Sequence, residues 1–256
     1  MNWLLLSDAP HDGAWNMALD EALMEAAEAE GLKSLRLYAW DPPTLSFGRN
    51  EPALRRYDRA AIAVRGLATV RRPTGGRAVW HHREVTYSVA APADTFGALR
   101  DTYREIHALL AAALVSLGAA VRLADERPAA GVGAGPCFAS AAGGEVVAGG
   151  GGKVVGSAQV RTAGAFLQHG SILLAAEQEL VAGVTLGVAD APAATGLAEL
   201  VYPKRAEWNA VAAEIAREAA RRWAVPNGPG ALPEAIRARA ASLVARYADP
   251  AWTWRR

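Results

Sequence analysis

The chain has 256 residues, of which 52% are apolar and 21% charged, enough for one large core or one core with a small appendage. Its 27 basic and 26 acidic residues are interspersed and leave a net charge of +1, which argues against a nucleic-acid-binding surface. A single cysteine excludes an internal disulfide and a thiolate metal cluster, and the longest apolar run, 108–121, is too short for a membrane span and holds Ser116 and Gly118. Met1–Leu6 lacks the basic flank and length of a signal peptide, and the five histidines show no HExxH-like spacing. A cytoplasmic, metal-free enzyme or binding protein is expected, with no nucleic acid and no membrane as partner.

Trp3–Ser7 reads as a short strand. After a polar turn, Asp12 or Asn16 is placed to cap a helix running to about Glu30, with Met17, Leu19, Leu23 and Met24 buried and Asp20, Glu21, Glu25 and Glu28 among its polar positions. Leu35–Trp40 alternates as a strand, and Leu45–Gly48 resumes extended structure after a turn. Tyr57–Gly66 fits a short helix and a turn. Leu99, Tyr103, Ile106, Leu110, Ala113 and Leu117 recur at helical spacing and predict an amphipathic helix from about Gly97 to Leu117, on which His107 reads as structural.

Residues 119–136 form an irregular connection that ends at Gly135 and Pro136, just before Cys137; loops of this length are functional or mobile. Glu145–Val147 is expected to pair with Lys153–Val160 as a hairpin across glycines 149–152, a permissive run expected to lack order without ligand, and Ala165–Leu174 follows as a strand. Residues 180–197 read as irregular or short helix, while Trp208–Trp223 and Pro233–Tyr247 are amphipathic helices. The whole chain, 1–256, is read as one catalytic domain, with about 205–256 a helical tail packed on it.

Residues 71–88, RRPTGGRAVWHHREVTYS, concentrate two arginines, a paired-glycine turn and two histidines. Strand, glycine turn and strand is the expected order. Without Cβ atoms, Gly75 and Gly76 let a ligand lie on the backbone, and a cationic pair beside them suits a carboxylate, a phosphate or an acyl carbonyl. A plain β-hairpin with solvated arginines fits the same residues.

The stretch resembles the signature of the lipoate–protein ligase and octanoyltransferase family, RR-x-TGG-x-AV-x-H followed by a TYS strand, here Arg71, Arg72, Thr74, Gly75, Gly76, Ala78, Val79, His81, Thr86, Tyr87 and Ser88. NMALDEAL at 16–23, and K-VVGSAQ with LQHGSILL at 153–174, sit in family order, so the resemblance spans most of 3–175. It implies an α/β (α+β) fold similar to the biotin and lipoyl ligase catalytic domain, with a mixed β-sheet flanked by helices. The resemblance also puts the block around Gly48, Arg49 and Asn50 near the ligand.

Within the family, GGRAV-x-H with Glu84, Arg77 where ligases carry a third glycine, and His82 where they carry aspartate resemble the cysteine-dependent octanoyltransferase branch. The resemblance places an acyl-accepting cysteine on the loop before the lysine-bearing strand, which makes Cys137 and Lys153 the expected catalytic pair. It implies substrate-binding roles for Arg72, Thr74, Gly75, Gly76, Arg77, Ala78, Val79, His81, Gly156, Ser157, Ala158, Gln168, His169 and Gly170. The acyl chain is expected in a tunnel lined by residues such as Val79, Trp80, Val155 and Leu167. The implied partners are octanoyl acyl carrier protein as donor and a lipoyl-domain protein, the glycine-cleavage carrier or a 2-oxoacid dehydrogenase subunit, as acceptor, with the enzyme a monomer that needs no cofactor. Three alternatives stay open: a lipoate–protein ligase using ATP and Mg²⁺, an amidotransferase between lipoyl carriers, and a non-catalytic carrier-binding module. The glycines at 149–152 replace polar positions common before the lysine, so the Lys153 alignment rests on the GSAQ match.

Overall fold

The computed structural model describes residues 3–125, 138, 143–187 and 193–256. Its strands are β1 (Trp3–Ser7), β2 (Lys33–Tyr38), β3 (Thr44–Phe47), β4 (Ala68–Arg71), β5 (Val79–His81), β6 (Glu84–Pro92), β7 (Val121–Leu123), β8 (Val146–Ala148), β9 (Val155–Arg161) and β10 (Ala165–Leu173). Its helices are α1 (Gly13–Glu30), α2 (Ala53–Arg56), α3 (Arg59–Val64), α4 (Leu99–Ser116), α5 (Glu179–Gly183), α6 (Trp208–Trp223), α7 (Glu234–Ala248) and α8 (Pro250–Thr253). No helix among the described residues is long and apolar enough to cross a membrane.

The main sheet is five-stranded and mixed, in the order β1-β2-β6-β10-β9, with β1 and β2 parallel and the remaining pairs antiparallel. Helices cover both faces. Val85, Tyr87 and Val89 of β6 meet Ile106, Leu110 and Leu114 of α4 and Val211 and Ile215 of α6 in one core. Ala90, Leu167 and Tyr38 meet Met17, Leu23 and Ala27 of α1 and Ile236 and Leu243 of α7 in the other. Two covered faces explain why β6 reads as a continuous buried run. The helix that delivers the site, α1, begins where the Asp12 side chain accepts from Trp15 N–H and ends at Gly31, whose φ of 70° is left-handed.

Strands β3, β4 and β5 form a second sheet in the order β4-β3-β5, with a core of Leu45, Phe47, Tyr57, Trp80 and Trp254. Here the structure decides one open pairing and corrects another. Strands β4 and β5, on either side of the Gly75–Gly76 turn, do not pair with each other but both flank β3, so the turn is not a hairpin turn. In the 145–160 region β9 pairs with β10; β8 pairs with β7, a strand inside the stretch read as irregular, and only the bridge Val147–Lys153 survives of the expected hairpin. The glycine run closes a hydrogen-bonded turn, with Ala148 N–H on the Gly152 carbonyl at 2.8 Å and Gly149 N–H on the Ala120 carbonyl at 2.9 Å.

Candidate active site

Strand register lays polar side chains under α1 in two rows. Arg36 pairs with Ser88, Ser88 with His169 and His169 with Ala158; the next row is Tyr38, Thr86, Ser171 and Gly156. Residues two apart share a face of a sheet, so both rows point the same way.

Asp20, fully buried on α1, gathers the first row. Its Oδ1 accepts from Arg36 at 2.9 Å and from Ser88 at 2.8 Å, and its Oδ2 from Tyr38 and from His169 Nδ1, both at 2.9 Å. Burial pushes this carboxyl up, but the His169 hydrogen bond and the Arg36 charge outweigh it and hold the group below the usual carboxylate range. Burial lowers His169 in spite of Asp20, so the imidazole is neutral near pH 7. Only an N–H can face a carboxylate, so Nδ1 carries the proton and Nε2 accepts from the Thr74 hydroxyl at 2.6 Å.

A second carboxylate–histidine–hydroxyl group stands beside it. Glu84 Oε1 accepts from His81 Nδ1 at 2.8 Å, from Ser171 at 2.9 Å and from Thr86, while His81 Nε2 meets the Ser46 hydroxyl at 2.7 Å. Trp40 stacks on the His81 ring, with 4.0 Å between centroids, and donates its indole N–H to Thr86. Between these groups lies a narrow cavity of about 20 Å³, room for little more than a water molecule. Met17, Trp40, Val79, Gly156, Ala158 and Gly170 are among its walls.

The arginine pair of the motif is split. Arg72 lines the cavity and braces the glycine turn, donating to the carbonyls of Gly75, Arg77 and Ser46 and to the Ser46 hydroxyl. Arg71, fully buried, donates to the carbonyls of Gly48, Arg49, Glu51 and Thr253 and so ties the 48–51 loop to the C-terminal segment. Burial, with the nearby Arg255 charge, lowers its pKa to about 10. A Cβ on Gly48 would lie 2.0 Å from the Gly76 carbonyl oxygen, so only glycine lets the loop pack against the turn.

Lys153 is buried, and its Nζ donates to Glu145 Oε1 at 2.8 Å and lies 5.2 Å from the centre of the Phe138 ring. A Cβ on Gly156 would lie 2.5 Å from that ring, so the glycine of GSAQ admits Phe138. His107 is not an isolated core residue: its Nδ1–H must donate to the Gly144 carbonyl at 2.8 Å, leaving Nε2 to accept from the Ser157 hydroxyl at 2.8 Å. Ser157 in turn meets the Tyr87 hydroxyl at 2.6 Å. Burial lowers the His107 pKa to about 3, so the ring stays neutral and is no base for Ser157.

Of the expected substrate-binding residues, the cavity wall includes Arg72, Val79, His81, Gly156, Ser157, Ala158, His169 and Gly170. Thr74 touches it through His169; Gly75 and Gly76 form the adjoining turn, where a Gly76 Cβ would lie 3.9 Å from that of Ala158, and Arg77 contributes its carbonyl to Arg72. Two are placed elsewhere: Ala78 packs in the core of the second sheet, and Gln168, on the face opposite His169, donates to Tyr87. The tunnel expectation is corrected too. Val79 is in the wall, but strand alternation sends Trp80 into the second-sheet core and Val155 against α4 and α6, while Leu167, on the same face as His169 but further along β10, packs in the α1–α7 core. Cys137 lies outside the described residues. Among the described residues no cluster of His, Cys, Asp and Glu could hold a metal ion.

Sequence reading missed Asp20, Arg36, Tyr38, Trp40 and Ser46. A signal for Asp20 existed: it sits three residues after buried Met17 and three before buried Leu23, on the apolar stripe of α1.

Residues 12–206 match the lipoyl protein ligase A/B catalytic domain. An octanoyltransferase LipM of Moorella thermoacetica is 39% identical over 99% of this chain and 98% of its own, and one of Kyrpidia tusciae is 39% identical over 99% of both. The chain belongs to the lipoyl protein ligase A/B catalytic domain family. The fold of that family is shared with solved structures at lower identity. A lipoate protein ligase of T. acidophilum with bound lipoic acid superposes with a TM-score of 0.83 at 19% identity over 100% of both chains, and a lipoate-protein ligase A bound with ATP does so with 0.83 at 19% over 99% of both.

Proposed function

We propose that this member of the family is an octanoyltransferase of lipoate biosynthesis, working through Cys137 as one catalytic unit over the whole chain. The observation that carries the reading is the full-length, 39% identity to proteins named octanoyltransferase. Phe138, bonded directly to Cys137, lies against Lys153, which supports pairing of this thiol with this lysine. In the first half-reaction the Cys137 thiolate attacks the octanoyl thioester of an acyl carrier protein; the new C–S bond forms as the carrier's C–S bond breaks, and the carrier thiolate leaves and takes up a proton. In the second, the neutral amine of a lipoyl-domain lysine attacks the acyl-enzyme, an amide forms, and Cys137 leaves as thiolate.

Lys153 favours the thiolate by its charge, and the proton that the amine sheds as the amide forms passes by way of Lys153 to the departing Cys137 sulfur. Backbone N–H groups at Gly75–Gly76 and Ser157–Ala158 are the candidate oxyanion donors. His169, lowered by burial and held with its Nδ1–H on Asp20, stays neutral and does not compete for a proton, while Glu84 orients the His81 ring. The octanoyl chain lies along Met17, Trp40 and Val79, with no metal or nucleotide taking part.

The test is intact-mass analysis after incubation with octanoyl acyl carrier protein in the absence of ATP. An octanoyl adduct on the natural protein and none on Cys137→Ala is the expected result. Lipoyl-domain modification that needs ATP and survives Cys137→Ala would make the protein a ligase instead.

A further inference from the structure

The near-neutral charge of the chain conceals one basic face. Arg49, Arg55, Arg59, Arg255 and Arg256 are exposed, and no carboxylate among the described residues forms a salt bridge with any of them. They are joined through the backbone. Arg255 donates to the Arg49 carbonyl at 2.9 Å, Leu54 N–H to the Arg256 carbonyl at 2.8 Å, and the Arg59 guanidinium lies 5.3 Å from the centre of Trp254.

The two carboxylates within the same stretch are engaged. Glu51, 4% exposed, is held by Tyr57 and the Gly48 N–H, with Arg56 at 3.9 Å, and Asp58 caps α3 through the Ala61 N–H. Apolar side chains stand among the arginines: Leu54 is 50% exposed and Val64 89%. Arginine around an exposed apolar centre is the composition of a protein interface. The uncompensated charge is felt inside the molecule, where the Arg71 guanidinium is lowered first by burial and then by Arg255.

This face adjoins the glycine turn beside the cavity. Arg49 N–H donates to the Thr74 carbonyl at 2.7 Å, Gly48 packs on the Gly76 carbonyl, and Gly76 is itself exposed. We propose that Arg49, Arg55, Arg59, Arg255 and Arg256, around Leu54, dock the acyl donor: an acidic carrier protein whose acyl arm hangs from a phosphodiester. The proposal rests on the octanoyltransferase reading and adds to it the surface that selects the donor. Guanidinium forks match both the phosphodiester and carboxylates on the carrier. The acceptor fits this face less well, because it must bring a lysine ammonium to the mouth, and five arginines repel it.

The experiment follows acyl-enzyme formation by the natural protein, by the triple variant Arg55→Glu, Arg59→Glu, Arg255→Glu, and by the milder Arg55→Gln, Arg59→Gln, Arg255→Gln. Each meets two donors, octanoyl acyl carrier protein and the uncharged octanoyl thioester of N-acetylcysteamine. With the carrier, the charge-reversed variant is expected to lose roughly ten-fold or more in kcat/KM at low salt, the glutamine variant less, and the natural protein is expected to slow as salt rises. With the neutral thioester all three react alike, which shows the fold and the site intact.

Equal loss with both donors would overturn the proposal, as would a carrier reaction indifferent to salt and to both variants. So would a defect confined to transfer from preformed acyl-enzyme to a lipoyl domain, which would give the face to the acceptor. If the natural protein formed no acyl-enzyme with either donor, the octanoyltransferase reading would fall; calorimetric titration with holo acyl carrier protein would still decide the surface, by heat of binding that the glutamate variant abolishes or leaves unchanged.

Discussion

Asp20 uses both carboxylate oxygens, with two donors on each, whereas Glu84 gathers three donors on Oε1 and leaves Oε2 buried without a partner. Each holds a histidine whose far nitrogen meets a hydroxyl, so the two groups look alike from the cavity. They differ in what balances the charge. Asp20 faces Arg36, a fully buried guanidinium that also bonds Asn16 and Asp8, and this knot ties α1 to β2, β6 and β10. Glu84 is met by neutral hydroxyls and an imidazole and links β5, β6 and β10. The first group is therefore the anchor of the helix on the sheet, and the second mainly orients His81.

Removing the charge of Asp20 should have the largest effect. In Asp20→Asn the Arg36 guanidinium loses its buried counter-ion, and breaking a buried pair costs about 3–5 kcal/mol. Urea unfolding of the variant should show that loss through a lower midpoint at an unchanged slope. A loss under about 1 kcal/mol, the size of one ordinary hydrogen bond, would mean Asp8 and Asn16 suffice for Arg36 and would dissolve the contrast with Glu84.

That contrast marks where sequence reading stopped. The glycine turn, the strands from Trp3 to Phe47 and the long helices were legible because they depend on local chemistry: Gly75 and Gly76 in a turn, Asp12 as a cap, Leu99 to Leu117 at helical spacing. Asp20 was read as a polar position because its partners come from residues 16 to 149 positions away in sequence, and only strand register brings Arg36, Ser88 and His169 into one row. Arg71, the last residue of β4, and Arg72, just beyond it, are adjacent in sequence, but consecutive side chains of the extended chain point to opposite sides, one into the second sheet's support and the other to the cavity. Trp80 and Val155 followed the same rule away from the site. His107 looked structural, and its neutral, buried ring fits that, yet its bonds reach Ser157 in the cavity wall and Gly144 beside the Lys153–Glu145 pair.

His107 is also a control for the paired histidines, being buried against a carbonyl and no carboxylate. Its folded-state pKa is lowered to about 3, below the unfolded value, so the unfolded chain binds more protons through the window between them. Stability from this group is complete above about pH 6.5 and is lost as pH falls, by roughly 2 kcal/mol between pH 7 and 5. His169, also lowered, adds a loss of the same sign in the same direction. In His107→Gln the unfolding free energy should fall less steeply over that range than in the natural protein. Parallel pH profiles would show His107 to be reached by water and its proton, against the burial seen here.

Glu84→Gln tests the weaker side of the comparison and should have the smallest effect on stability, about 1–1.5 kcal/mol. The amide oxygen can keep accepting from His81, Thr86 and Ser171, so the loss is of charge assistance and not of the bonds themselves. The new amide nitrogen takes the place of Oε2, which has no partner to lose, though it brings a donor that must find one. Because His81 stacks on Trp40 and meets Ser46, its position is secured on two other sides. What the carboxylate adds is the choice of tautomer, Nδ1–H inward and Nε2 toward Ser46, because it can only accept, whereas an amide can also turn its nitrogen to donate to Nδ1. The imidazole signals of His81 in a ¹⁵N NMR spectrum should therefore lose their single-tautomer pattern in Glu84→Gln while the unfolding midpoint moves little. A large fall in stability with the tautomer unchanged would reverse the assignment of anchor and orienter between Asp20 and Glu84.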